Sequence, residues 1–451
     1  ATTGRIELNA PESVGIQLRP DPGVDIVIDI SSNRRGIVEQ GMNNGNIIVN
    51  GYRSYGMMTA PLYSSPIYPL NDGGNFRRLA NDGSYLIMNG GTITVNGDES
   101  SAFSLQKRIQ TPAFNGGTIN IGMSLVTQNA DGNLPYIVNG VDVSKANMVE
   151  RAMGLFSNVG GDALSPGDQD DSKLQSCVAL YGCGNGNLSA SVGTSINIGV
   201  NATQSSGIRV EDADQNLFPG VGGSITNFGN VNIYGANNYG IVINGKFSYA
   251  NIGSSVTFSS GVPPFELGNI MSETNGIVNV QSNNSIGVIV KKGSFDNTGK
   301  IVTNGVNSLG IYGNNGVISS GYGNSGNFLA RNTMIETTGV ESHAVVLDRK
   351  KGIANGDNSS LNFNNQAVIK NNTEGTIGIY ANSGATFNHT WQDFYDPSEL
   401  GQPSYLVPIA TGSLVSKIES GFGAIGIYVE GVSTQGVVKA PIYVLGSTVN
   451  Y

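Results

Sequence analysis

Short apolar runs punctuated by glycine and asparagine recur along this chain, and between Gly276 and Gly316 they fall into step. Gly276-Ile277-Val278-Asn279-Val280 is followed by Ser285-Ile286-Gly287-Val288-Ile289-Val290. The same order returns in Gly299-Lys300-Ile301-Val302-Thr303 and Ser308-Leu309-Gly310-Ile311-Tyr312. The opening glycines are 23 residues apart (299 − 276), and so are the inner ones (310 − 287). Two markers sharing one period define a repeating coil.

One strand of each coil reads Gly-Thr-Ile-x-Val, as at 91–95 and 117–121, with related copies at 195–198, 230–233 and 255–258. Alternation of apolar residues with Thr or Asn turns one side of such a strand inward and the other to solvent. The second strand reads small or polar, apolar, glycine or alanine, then an apolar run. Its glycine or alanine stands at 15, 36, 56, 102, 154, 207, 240, 287, 310, 344, 378 and 426, with a weak last copy at Gly436. Like strands one period apart stack in parallel, and parallel stacking without intervening helices makes a β-helix. The inner glycine suits a corner or a close backbone approach that excludes a Cβ. Asparagines sharing a corner are placed to bond along the axis as a ladder.

Steps of 21 (36 − 15) and 20 (56 − 36) mark slightly shorter coils in the first part of the chain. Steps of 47 (287 − 240) and 48 (426 − 378) stand for two coils, or for one with an excursion. Counting copies predicts roughly 17 coils and, at about 4.8 Å per coil, a rod on the order of 80 Å long. The best helical stretch, Lys145 to Arg151, leads straight into a strand copy. The expected architecture is all-β, a single parallel β-helix over 1–451 with protruding loops. Three segments, 59–84, 127–186 and 387–413, break the pattern and gather Pro, Tyr and charge. Insertions in a solenoid leave the rod as loops, where function concentrates.

Composition narrows the class further. Gly numbers 64, while charged residues make up 13% and aromatics 8%, which fits neither disorder nor a collagen repeat. A net charge of −9 leaves no basic face to neutralise phosphates, so nucleic acid is excluded as a partner. No run of about 20 apolar residues is present to cross a bilayer as a helix. Ala1-Thr2-Thr3-Gly4 lacks the features of a signal peptide, so the chain is expected to start as a mature product or an excised piece.

The candidate chemistry is sparse. Cys177 and Cys183 are the two cysteines; a tight glycine-containing loop favours a disulfide, and two unrelated thiols is the other reading. With two histidines they are too few for a zinc site, and no metal or cofactor is expected. The acidic groups Asp168, Asp170, Asp171 and Glu211, Asp212, Asp214 sit in turn-like segments. They read first as solvated turns, then as a weak calcium site, and last as catalytic carboxylates, since an EF-hand spacing is absent. His343 reads as a half-buried structural residue.

Binding is the stronger expectation. His389, Trp391, Asp393, Phe394 and Tyr395 gather in one excursion, around the single tryptophan of the chain. Aromatics on an exposed loop either recognise a partner or anchor the loop on the rod. Tyr63, Tyr68, Arg77 and Arg78 form a second aromatic group with adjacent charge, among Tyr52, Tyr55, Phe76 and Tyr85. Lys246, Lys291, Lys292, Arg349, Lys350 and Lys351 all follow the second strand and are expected along one corner. Such a line meets an anionic partner or protects an edge.

Asn284-Ser285-Ile286-Gly287-Val288, Asn307-Ser308-Leu309-Gly310-Ile311-Tyr312-Gly313-Asn314-Asn315-Gly316 and Gly375-Thr376-Ile377-Gly378-Ile379-Tyr380-Ala381-Asn382-Ser383-Gly384 resemble the repeats of type V autotransporter passengers. They are most similar to those of the large fusobacterial outer-membrane adhesins, and the likeness covers roughly Ser13 to Val438. The resemblance implies a right-handed β-helix on the bacterial cell surface, non-enzymatic and monomeric. Its expected partner is a receptor, protein or glycan, on a host cell or a partner bacterium. The few, closely spaced cysteines agree with such a passenger. The family's C-terminal membrane barrel has no counterpart in Pro441 to Tyr451, so an excised passenger segment is expected. The rival readings are a β-helical polysaccharide lyase or hydrolase and a purely structural stalk.

Overall fold

Strands that are apolar on one side must bury that side, and here three faces of parallel strands bury it against one another. The computed structural model describes residues 4–18, 39–59, 85–105, 113–123, 137–138, 141–142, 149–158, 188–212, 222–258, 270–321, 333–349, 361–390 and 416–444. No helix occurs among the described residues. The protein is a parallel β-helix.

The first face is a parallel sheet of 12 strands, running from Arg5–Leu8 through Asn46–Val49, Thr118–Ile121, Ile277–Val280 and Lys300–Thr303 to Ile442–Val444. Its register keeps one inward column of β-branched residues, Ile47 on Ile93 on Ile119 on Ile196. Each of these side chains is at most 1% exposed, a burial that contributes about 2 kcal/mol apiece. The second face carries the glycine signature, as in Val14–Leu18, Tyr55–Thr59 and Leu309–Gly313. A third face, as in Tyr85–Asn89, Leu361–Asn365 and Thr386–His389, completes each coil. Phe103, Leu188, Phe295 and Phe363 from the second and third faces join the first-face isoleucines in one continuous core.

The three-stranded coil corrects the expected coil count. Val14 pairs directly with Tyr55, so no layer built on Gly36 separates Gly15 from Gly56. Gly436 belongs to the third face, where Gln435–Val438 pairs with Thr386–His389. The 255–258 copy lies in an antiparallel hairpin, Ser254–Phe258 with Ile270–Asn275. Twelve first-face layers at about 4.8 Å make a rod roughly 50 Å long. Single coils with inserted residues look like two coils when only the period is counted. Successive layers are separated by as few as 23 residues and as many as 77.

The first corner, between the first and second faces, is held the same way in most layers. Glu12, Arg53, Glu99, Arg151, Gln204, Asn237, Asn284, Asn307 and Glu341 turn the chain there with positive φ, between 50° and 59°. The next residue is usually serine. Ser54 Oγ accepts from Ser13 N (3.0 Å), Ser100 Oγ from Ser54 N (2.9 Å), Ser308 Oγ from Ser285 N (3.1 Å) and Ser342 Oγ from Ser308 N (3.0 Å). The same hydroxyls donate to carbonyls of the layer before, as Ser308 does to Ser282 (2.8 Å) and Ser342 to Gly305 (2.6 Å). Buried corner amides are thereby satisfied by a hydroxyl column running along the axis.

Candidate functional site

Most long insertions enter the rod at two of its three corners. Between the second and third faces, the second corner admits 19–38, 60–84, 158–187, 212–223 and 349–360. Between the third face and the next first face, the third corner admits 253–276, 321–333 and 390–416. The first corner admits one, 122–148. The third face therefore runs as a floor with insertions along both sides.

One outward column on that floor is polar from Ser189 to Asn388. In register, Thr226 stacks on Asn251, Asp296, Ser319, Asn364 and Asn388, and Val437 ends the column. Strand alternation points these residues away from the core, yet Asp296 is 3% exposed and Ser319 9%. Asp296 Oδ2 accepts from the Tyr249 hydroxyl at 2.9 Å. Burial, reinforced by this carboxylate, raises the Tyr249 pKa far above its ordinary value, so the hydroxyl stays a donor. Nearer the last coil, Asn388 Nδ2 donates to Asn364 Oδ1 at 2.9 Å.

There the floor opens into a groove of about 480 Å³. Ser319, Asn364, Asn388 and Val437 line one side, and Gln366, Thr390 and Lys439 line the other. The second set comes from the third corners of three successive coils: Gln366 N donates to Ser320 O, Thr390 N to Asn365 O and Lys439 N to His389 O. Gln366 Oε1 is buried with no hydrogen-bond partner.

The residues singled out from sequence are distributed differently. Trp391, Asp393, Phe394, Tyr395, Tyr63, Tyr68, Arg77, Arg78, Lys350, Lys351, Cys177, Cys183, Asp168, Asp170, Asp171 and Asp214 lie outside the described residues. His389 is not on an exposed loop: it is 0% exposed in the strand Thr386–His389, with Phe387 also buried. The third excursion accordingly begins after Thr390. His389 occupies the corner position held elsewhere by asparagine, and its Nδ1 bonds Asn365 Nδ2 at 2.9 Å. Burial lowers its pKa, with the backbone of Pro441 and Asn365 opposing part of that effect. The excursion expected over 127–186 is interrupted by a coil strand, Met153–Ser157, paired on both sides.

Lys246, Lys291, Lys292 and Arg349 do share the second corner. The coil of Asn314 lies between the lysine pair and Arg349, with Asn314 Nδ2 bonded to Asp348 O at 3.1 Å. Glu211 pairs with Arg209, and the Asp212 carboxylate accepts from Lys246 N (2.7 Å), Phe247 N (2.9 Å) and Ser248 Oγ (2.9 Å). Asp212 thus ties a second-corner turn together. His343 is half-buried, its pKa lowered by desolvation. No group of three His, Cys, Asp or Glu placed to hold a metal occurs among the described residues.

The groove was missed because no residue type marks it. The available signal was the polar alternation in Leu361-Asn362-Phe363-Asn364-Asn365 and Thr386-Phe387-Asn388-His389, which becomes meaningful only once the third face is known. Comparison with protein-family models, curated proteins and solved structures returned no match.

Proposed function

We propose that this chain is a surface-adhesin segment of the autotransporter-passenger kind, in which a rigid rod presents recognition elements to a receptor on a host cell or a partner bacterium. The observation that carries the reading is the placement of the long insertions: the second and third corners take nearly all of them, so they flank one face. A stalk has no need of a preferred side. Recognition does, because segments that enter on both sides of one face bring residues far apart in sequence to the same side of the rod.

The test is a binding screen of the whole chain against host cells, bacterial partners and a glycan panel. It is repeated with 60–84 shortened, with 391–415 removed and, as a control, with 124–147 removed. Binding that is lost with either flanking deletion and kept with the first-corner deletion supports the proposal. Equal binding by all four forms points to a stalk whose contacts lie elsewhere. Glycan turnover abolished by changing one carboxylate replaces adhesion with enzymatic action.

A further inference from the structure

The groove at the end of the third face has a chemistry distinct from the rest of the surface. The chain carries 33 acidic residues against 24 Lys and Arg, yet no carboxylate is among the described residues that line the groove. The adjacent carboxylate, Asp296, is buried and engaged by Tyr249. Lys439, exposed at the rim, is the one ionisable side chain among the described lining residues. The remaining polar groups are neutral: amides of Asn364, Asn388 and Gln366, hydroxyls of Ser319 and Thr390.

Amides offer a donor and an acceptor side by side, the pattern that pairs with neighbouring hydroxyls on a sugar ring. The Asn388–Asn364 bond uses one amide donor and one carbonyl, and it fixes both side chains in orientation. A fixed amide loses less conformational entropy on binding than a mobile one. Val437 supplies a small apolar side chain for the C–H face of a ring. The lining residues span four coils, roughly 15 Å along the axis, which is room for more than one ring.

We propose that this groove binds an acidic oligosaccharide, with ring hydroxyls held by Asn364 and Asn388 and the sugar carboxylate held by Lys439. The inference deepens the adhesin reading and rests on it for biological sense, but the groove itself is tested separately. Calorimetry on the whole chain compares a glucuronate-terminated tetrasaccharide with its neutral glucose-terminated counterpart. The acidic ligand is expected to bind about tenfold more tightly, and Lys439→Gln to remove that preference. Asn388→Ala is expected to weaken both ligands several-fold. Thermal melts confirm that each variant is folded; Lys439 is exposed, so its replacement leaves the core untouched. No binding of either sugar, or binding indifferent to both substitutions, overturns the groove assignment even if the chain still adheres to cells. Sugar binding without adhesion to any cell keeps the groove and overturns the adhesin reading.

Discussion

At the scale of single residues, the signature glycine shows how a sequence motif acquires a physical reason. A Cβ added at Gly287 would lie 2.6 Å from the Gly310 carbonyl oxygen and 3.1 Å from Ile301 Cγ2. Gly240 and Gly310 are confined in the same way, by the next layer's carbonyl and a first-face methyl. The glycine thus lets two faces approach at the first corner, as the motif's position in the sequence implied. Ala102 and Ala344 occupy the equivalent site and are fully buried, so one methyl is accommodated where the surroundings have adjusted. Gly287→Val adds a branched side chain to a site without room and is expected to cost about 2–3 kcal/mol. Gly287→Ala is expected to cost less. Thermal unfolding measures both; a valine variant melting with the parent protein would refute the close-approach argument. The serine beside this glycine was equally visible in sequence, but its bonding along the axis was not, since that depends on which coil stacks on which.

At the scale of elements, the third corner carries a buried amide ladder in part of its length. Asn43 Nδ2 donates to Asn89 Oδ1 (2.8 Å) and Asn89 Nδ2 to Asn115 Oδ1 (2.7 Å). His389 closes a later section of this column, accepting through Nδ1 from Asn365. An imidazolium has no acceptor, so protonation breaks that bond and places a charge in the core. The sign follows: a histidine with a folded pKa below its ordinary 6.5 leaves stability unaffected above that pH. Stability is then lost as the pH falls below 6.5 towards the depressed value. His343 contributes in the same direction. His389→Asn restores the ladder residue and removes one of the two titrations. Its melting temperature is expected to match the parent's at pH 7 and to exceed it at pH 5. A variant equal to the parent at both values would show that the fold does not depress the pKa of this ring.

The same element explains what the sequence left hidden. First and second strands were legible because each sits a near-constant distance from the other, separated by the short first corner in most coils. Third strands such as Ala113–Asn115, Leu188–Ala190 and Thr386–His389 share no signature residue, and insertions at the second corner set them at variable distances. A period-based reading therefore found two strands per coil where three exist, and it placed His389 on a loop beside Trp391. The parallel architecture survives this error because stacking depends on the strands that were found. The candidate site does not, because its floor is the face that was missed.

At the scale of the whole molecule, the layers stay in register although the chain between them ranges from 23 to 77 residues. That tolerance is expected of a solenoid, in which each layer's stability comes from its own packing and its nearest neighbours. An inserted segment leaves the layer spacing unchanged and adds only a slowly growing loop-closure cost. Removing 391–415 joins Thr390 to Ser416, a two-residue corner of the same length as Gln366–Ala367 one coil earlier. Ser416 is already buried at this corner, in bonding distance of the Ala367 carbonyl (3.4 Å). The shortened chain is therefore expected to keep its β-sheet circular dichroism and to melt within a few degrees of the parent. Collapse of the last two layers, read as lost hydrogen-exchange protection in Lys417–Ser420 and Ile425–Val429, would instead show that the insertion is part of the rod. Retained protection would establish that the two levels are separable: a scaffold specified by glycine, serine and β-branched residues at fixed corners, and inserted segments free to vary where the corners open.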